Sequence, residues 1–556
     1  MRGKGMASSF FLLRNRILQV LATSVLMLAI GLPVASAATK PVAPPPLPRI
    51  TSHEGRHALW VDGAPFLVLG AQVNNSSNWP DVLEDVWPAI DVVDPNTLMV
   101  PVSWEQIEAR EGAFDFSFVD TLLEQARAKH LRLVLLWFAT WKNNGPNYAP
   151  AWVKLDNARF PRVVTRDGRT LNSLSPHAHA TLDADRAAFI RLMRHLKQVD
   201  AQRTVIMVQV ENEPGTYGSA RDFSPLAQRE FDGPVPDALI KRLGKQPGTW
   251  SQAFGNDADE FFHAWSIARF IDQVAAAGKH EYPLPMYVNA ALRGPFNPGQ
   301  PGQYASGGAT DNVLDIYKVA APHVDLLAPD IYMPEYKLYD TVLERYARAD
   351  NPLFVAETGN RSEYARYFFA ALGRQAIGWS PFGIDYSKYS NWPLGAKAVT
   401  PETLEPFALN YRLVKPAMRV IAKASYEGKV HGTAEEPGQP TQTLKLDARW
   451  NAVVTYGVPQ FWFQGKPPGN PDPVGAALIV QLAADEFLVT AMHARVEIIA
   501  ADPAKAARQI YVSVDEGTYD DEGRWRFRRR WNGDQTDYGL NFSSATQLLR
   551  VKLASY

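Results

Sequence analysis

At 556 residues the chain is too long for one ordinary domain, and its 46% hydrophobic and 21% charged residues are those of a folded globular protein. A formal net charge of −1 makes nucleic acid a poor candidate partner. Zero cysteines exclude disulfides, thiol nucleophiles and cysteine-ligated metal or iron–sulfur sites, so the fold is held by its core alone.

Arg14 and Arg16 precede an apolar run from Ile17 to Leu32, followed by Pro33 and Ala35-Ser36-Ala37. This order is that of a cleavable export signal, residues 1–37, with cleavage after Ala37. The alternative is a membrane anchor, for which the run is short. With the signal removed the mature chain is expected in the periplasm or the medium, free of the membrane. Pro41–Pro48 (PVAPPPLP) makes 38–50 a stiff, extended leader.

From there apolar runs alternate with helical stretches. Phe66–Val73, Thr97–Trp104, Leu131–Phe138 and Val205–Val210 read as buried strands. So do Met286–Ala290, Val324–Tyr332, Leu353–Ala356 and Ala376–Phe382. The runs are continuous rather than alternating, as parallel strands covered on both faces require. Between them, segments such as Phe118–Lys129 and Asp185–Val199 repeat apolar residues at helical spacing. Eight strands with intervening helices predict an α/β fold, a (β/α)8 TIM barrel over residues 51–427; an open doubly wound sheet is the alternative. The long insertion Gly215–Asp259 follows the fourth strand and is expected to wall the pocket at the C-terminal face.

A Glu- and Pro-rich stretch predicts a linker over 428–442. Beyond it, Ala476–Leu482, Phe487–Met492, Ala494–Ile499, Tyr511–Val514 and Trp525–Trp531 predict a C-terminal all-β sandwich over 443–556. Its Trp450, Trp462, Trp525 and Trp531 are assigned to its core and its seam with the barrel, with glycan binding as the alternative.

Two stretches carry chemistry. In Val208–Gly215 (VQVENEPG) an apolar strand runs into Glu211, Asn212 and Glu213 and stops at Pro-Gly. In Phe354–Gly359 (FVAETG) another delivers Glu357. Carboxylates at strand mouths are costly to desolvate, so packing alone gives little reason for them. By strand count they end the fourth and seventh strands, which face each other across an eight-stranded barrel. Glycoside hydrolysis needs two carboxyl groups bracketing the scissile bond, one protonated and one ionised. The plainer alternative is a pair of unrelated salt-bridged glutamates. Alternation points Glu211 and Glu213 to one side of the strand and Asn212 to the other.

The segment Gln209–Glu213 (QVENE) resembles the β-galactosidases of glycoside hydrolase family 35, and so does Trp104–Phe116 (WEQIEAREGAFDF), a form that recurs in families 35 and 42; with Glu357 the match runs from about Gly70 to Asp385. The resemblance implies a retaining exo-β-galactosidase with Glu213 as acid/base and Glu357 as nucleophile. It further implies Asn212 bonding the sugar 2-hydroxyl, Tyr332 bonding the nucleophile and Trp379 flooring the sugar subsite. Asn74, Trp141 and Glu211 are further candidates for binding the oligosaccharide. Pro214 stands where the family carries tyrosine, and Thr140 where it carries a sugar-binding glutamate, so Lys142, Asn143 and Asn144 are candidates to replace that contact. With its compact C-terminal module the chain is similar to the bacterial subgroup associated with plant cell-wall xyloglucan. No metal or cofactor is expected: HExxH, P-loop, GxGxxG and GxSxG patterns are absent. Another β-glycosidase activity or a non-catalytic glycan-binding barrel are the competing functions.

Overall fold

The computed structural model describes residues 44–457, 467, 469–502, 504, 508–542 and 547–556. The expected signal segment and Trp462 lie outside the described residues. Eight parallel strands close into a barrel in sequence order: β1 (Val68–Gln72), β2 (Thr97–Ser103), β3 (Arg132–Lys142), β4 (Val205–Asn212), β5 (Met286–Ala291), β6 (Leu326–Ile331), β7 (Phe354–Thr358) and β8 (Gly378–Pro381). A helix follows each strand, from Leu83–Val93 after β1 to Pro401–Val414 after β8.

The continuity of the apolar runs follows from this layering. Val68, Met99, Val134, Leu136, Ile206, Leu326 and Phe354 point inward and fill the barrel. Their neighbours Leu69, Leu98, Leu133, Leu135, Val205 and Val355 point outward under the helices. Below, the barrel is plugged by Leu59, Val61 and Phe66. These belong to an antiparallel sheet of Arg49–His53, Arg56–Val61 and Ala64–Phe66. The last residues of the expected leader are therefore folded, with Pro48 buried and Arg49 opening that sheet.

The expected linker is folded too. It contains β9 (Val430–Ala434) and opens β10 (Thr441–Lys445), and is followed by β11 (Trp450–Tyr456), β12 (Ala476–Ala483), β13 (Glu486–Met492) and β14 (Ala494–Ala500). The chain ends with β15 (Gln509–Tyr519), β16 (Trp525–Arg530), β17 (Leu540–Phe542) and β18 (Leu549–Ser555). A six-stranded sheet, β9-β12-β13-β18-β15-β16, faces a four-stranded one, β10-β11-β14-β17. Ala477, Ile479, Phe487 and Val489 meet Ala452, Val454, Val496 and Ile498 between the sheets. The opposite face of the larger sheet (Val430, Leu478, Val480, Leu488) joins the core that surrounds the barrel. Trp450 and Trp531 are buried in the sandwich, and Trp525 packs against the barrel-side core. Residues 44–556 make one compact unit.

Candidate active site

β4 ends in a sharp turn of the backbone. Glu211 (φ +63°) and Glu213 (φ +46°) both take the left-handed conformation, which non-glycine residues adopt at a cost of order 1–3 kcal/mol. Alternation therefore stops at Val210, and the two glutamates part company. Glu213 turns into the mouth of the barrel, its backbone N–H held by Asn289 Oδ1 at 2.8 Å. Gly215 (φ +138°) then carries the chain past Ala305, whose carbonyl oxygen would lie 2.8 Å from any Cβ there. The loops after β4 and β5 are joined at that point by the Thr216–Ser306 bridge.

The mouth holds three carboxyl groups. Oxygens of Glu213, Asp330 and Glu357 lie within 4.8 Å of one another. Three donors converge on Glu357, which is 3% exposed. Gln72 Nε2 (2.8 Å) and Asn289 Nδ2 (3.5 Å) donate to Oε1, and the Tyr332 hydroxyl (2.8 Å) donates to Oε2. This arrangement suits an ionised carboxylate. Glu213 has no such set. Burial pushes its carboxyl up to about 7; the charge of Lys142, with Nζ 3.9 Å away, opposes the rise and that of Glu357 adds to it. The site thus contains one carboxyl poised to hold a proton and one dressed to remain an anion. Lys142 supplies a fixed positive charge beside them, its Nζ also donating to Asn143 Oδ1 at 2.5 Å. The side chain of Asn212 is fully buried, and turned with its oxygen toward Lys142 Nζ it accepts from that ammonium at 2.9 Å.

Other expected residues fall elsewhere. Glu211 turns away from the mouth, its Oε2 accepting from the Trp141 backbone N–H at 2.7 Å. There burial, and then the charge of Asp185, raise its carboxyl well above the usual range, and Asp185 itself accepts from Trp137 Nε1 (2.9 Å) and from the Thr140 hydroxyl (2.5 Å). Thr140, in the place of the family's glutamate, therefore serves this buried pair rather than the mouth. Trp141 is fully buried against Phe270, with ring centroids 4.8 Å apart. Trp379 points outward from β8, because the pleat sends alternate side chains to opposite faces. It packs on Phe407 and Phe368, donating to the Tyr339 hydroxyl at 3.0 Å, and so lies in the helix layer rather than under the sugar. Asn74 stays on the rim, clamped by Asp385 through its backbone N–H (2.7 Å) and its amide (2.8 Å).

Gln72, Asn289 and Asp330 were not singled out in the sequence. Each is a lone polar residue near the C-terminal end of an apolar strand (VLGAQ, MYVNAA, LLAPDI), the same signal that marks the two glutamates.

Residues 93–268 match a family model described as beta-galactosidase, and residues 407–543 one described as a domain of unknown function, DUF5597. The curated β-galactosidase of Xanthomonas manihotis is 30% identical over 208 residues, 35% of this chain and 31% of that protein, so the match spans about a third of the relative's length. Among solved structures, a β-galactosidase from Bacillus circulans sp. alkalophilus aligns at 14% identity with TM-score 0.47, covering 64% of this chain and 57% of that one. The catalytic domain of a β-amylase from Paenibacillus polymyxa aligns at 13% identity with TM-score 0.44, covering 57% and 92%. Over the segment that carries β2 to β4 and Glu213, the chain is thus similar to β-galactosidases.

Proposed function

We propose that this chain is a retaining exo-β-galactosidase that removes terminal β-galactosyl residues from plant cell-wall oligosaccharides of the xyloglucan kind. One observation carries the reaction type. Glu213 and Glu357 bring carboxyl oxygens within 4.8 Å, the close spacing of retaining rather than inverting glycosidases, about 5–5.5 Å against 6.5–9.5 Å. Galactose as the sugar is supported by the β-galactosidase match, and the xyloglucan source by the resemblance of the sequence.

In this reading Glu357, oriented by Gln72 and Tyr332, attacks the anomeric carbon while Glu213 gives its proton to the departing oxygen. Glu213, then ionised, takes a proton from water as that water attacks the glycosyl-enzyme, and the sugar leaves with its configuration retained. A panel of nitrophenyl glycosides tests the sugar. β-Galactoside should be turned over well above β-glucoside, and activity confined to another sugar overturns the assignment. Glu357→Ala should abolish turnover with the fold intact, and azide should restore part of it on an activated galactoside with inverted product. Near-wild-type turnover by that variant removes Glu357 from the mechanism.

The export reading of residues 1–37 belongs to the same proposal, since such polymers lie outside the cell. It expects a mature N-terminus at Ala38, checked by N-terminal sequencing of protein from periplasm or medium. An intact segment retained in membranes overturns it.

A further inference from the structure

Asp330 stands near the end of β6 and is 3% exposed, yet the two steps above give it nothing to do. Its Oδ2 accepts from Asn289 Nδ2 at 2.6 Å, and its Oδ1 is buried without a donor. Carboxyl oxygens of both Glu213 and Glu357 lie within 4.8 Å of its own, and of the two it is Glu213 with which it hydrogen-bonds. Two ionised carboxylates are acceptors only and cannot bond to each other; with one proton between them they can. Resting on the reading of Glu213 as acid/base, we propose that Asp330 is a positioning residue that keeps its own proton and donates it, as a hydrogen bond, to the Glu213 carboxylate.

The surroundings decide which of the two carries that proton once Glu213 has given up its own. The groups around Asp330 are Lys142 on β3, Glu213 just past β4, Asn289 and the Tyr287 hydroxyl on β5, the Tyr332 hydroxyl just past β6, Tyr346 on the helix after β6 and Glu357 on β7. The cation, Lys142, lies against Glu213 (3.9 Å). Glu213 also keeps 13% of its side chain open, whereas Asp330 is buried between two other carboxyl groups. Burial first, then the charges of Glu357 and Glu213, hold the Asp330 carboxyl well above the usual carboxylate range. Asp330 therefore stays neutral while Glu213 cycles. The leaving oxygen takes the Glu213 proton, water later returns one, and the Asp330 proton stays where it is. The hydrogen bond stabilises Glu213 in the ionised form, the form that must act as base when water attacks.

Kinetics across pH test this, with a galactosylated oligosaccharide, whose cleavage needs Glu213 as acid, for kcat/KM, and a dinitrophenyl galactoside, whose slow step is the attack of water, for kcat. Asp330→Asn, whose amide keeps a donor, should leave the basic limb of kcat/KM in place. Asp330→Ala should move that limb to higher pH and lower kcat about 10- to 100-fold, the loss of one hydrogen bond to a charged group. If both variants move the limb to lower pH, Asp330 is an anion in the native enzyme and the proposal is wrong. An unmoved limb with equal losses on all substrates assigns it a structural part only and is equally fatal. Infrared difference spectra of wild type minus Asp330→Asn at pH 9 give a readout independent of turnover. A protonated carboxyl stretch lost with Asp330 is expected, and its absence overturns the proposal. An enzyme inert on every glycoside would sink the galactosidase reading instead, and leave that band to decide for Asp330.

Discussion

Two glutamates two residues apart at the end of β4 have opposite fates, and the reason lies in the backbone. Strand alternation read from the sequence placed Glu211 and Glu213 on one side. The left-handed turns at both residues, which no pattern of residue types announces, send Glu211 to Asp185 and Glu213 to the mouth. The consequences for the two carboxyls differ. Glu213, held at about 7, must be protonated when the glycosidic bond breaks, so kcat/KM should fall as pH rises through about 7. Glu213→Ala should remove that fall and lose about 10²–10⁴-fold on oligosaccharides, while a dinitrophenyl galactoside still forms a glycosyl-enzyme that accumulates, visible by mass spectrometry. Equal losses on both substrates would make Glu213 a binding residue. Glu211 is raised well above the carboxylate range by burial and by the Asp185 charge, and it donates its proton to Asp185. A carboxyl with a raised folded value contributes fully below its unfolded value, near 4.5, and loses that contribution as pH climbs through the folded one. Glu211→Gln keeps the donor and cannot ionise. Its Tm should match wild type at pH 5 and exceed it at pH 9, and an equal Tm difference at both values would deny the shared proton.

The eight barrel strands were legible because each is buried on both faces and so reads as an unbroken apolar run; β12, lying between the barrel and the second sheet, was legible for the same reason. The strands that escaped lack such runs. β10 (TQTLK) alternates exposed and half-buried residues, and β9 (VHGTA) carries a glycine that reads as a break. Gly432 is there because the backbone of the helix Tyr367–Gly373 lies against it, and a Cβ would strike the Phe369 carbonyl. Loops are less legible still, although their composition has a use. Trp79 follows β1, Tyr217 follows β4, Phe296 follows β5, and Tyr389 and Trp392 follow β8, all between 41% and 57% exposed at the end of the barrel that holds the carboxyl groups. Large exposed aromatics on the rim of a sugar site are suited to stack on the rest of an oligosaccharide. Trp392→Ala should raise KM for a galactosylated oligosaccharide about tenfold more than for nitrophenyl galactoside, a stacking loss of about 1.4 kcal/mol. Equal KM changes on the two would dismiss the rim as a binding surface.

At the scale of the molecule, the sequence suggested a barrel and a sandwich joined by a linker, from which a separable catalytic barrel would follow. The structure argues for dependence. The would-be linker is strand β9, laid on the helix after β7, with the Gly373 and Gly432 backbones in contact. Val430, Leu478, Val480 and Leu488 of the larger sheet belong to the same core cluster as Tyr367, Phe369 and Leu413 of the barrel's helices. At about 1.5–3 kcal/mol for each large side chain taken out of water, uncovering that seam costs as much as the roughly 5–15 kcal/mol that holds a typical domain folded. With no cysteine in the chain, no disulfide offsets the loss. A fragment ending at Glu427 should therefore fail to fold: little soluble protein, bound hydrophobic dye, and no cooperative melting. The full chain from Pro44 should melt in one transition, unchanged by reductant. A soluble 44–427 fragment with wild-type Tm would show that the sandwich is a passenger and that the seam, however well filled, contributes nothing the barrel needs.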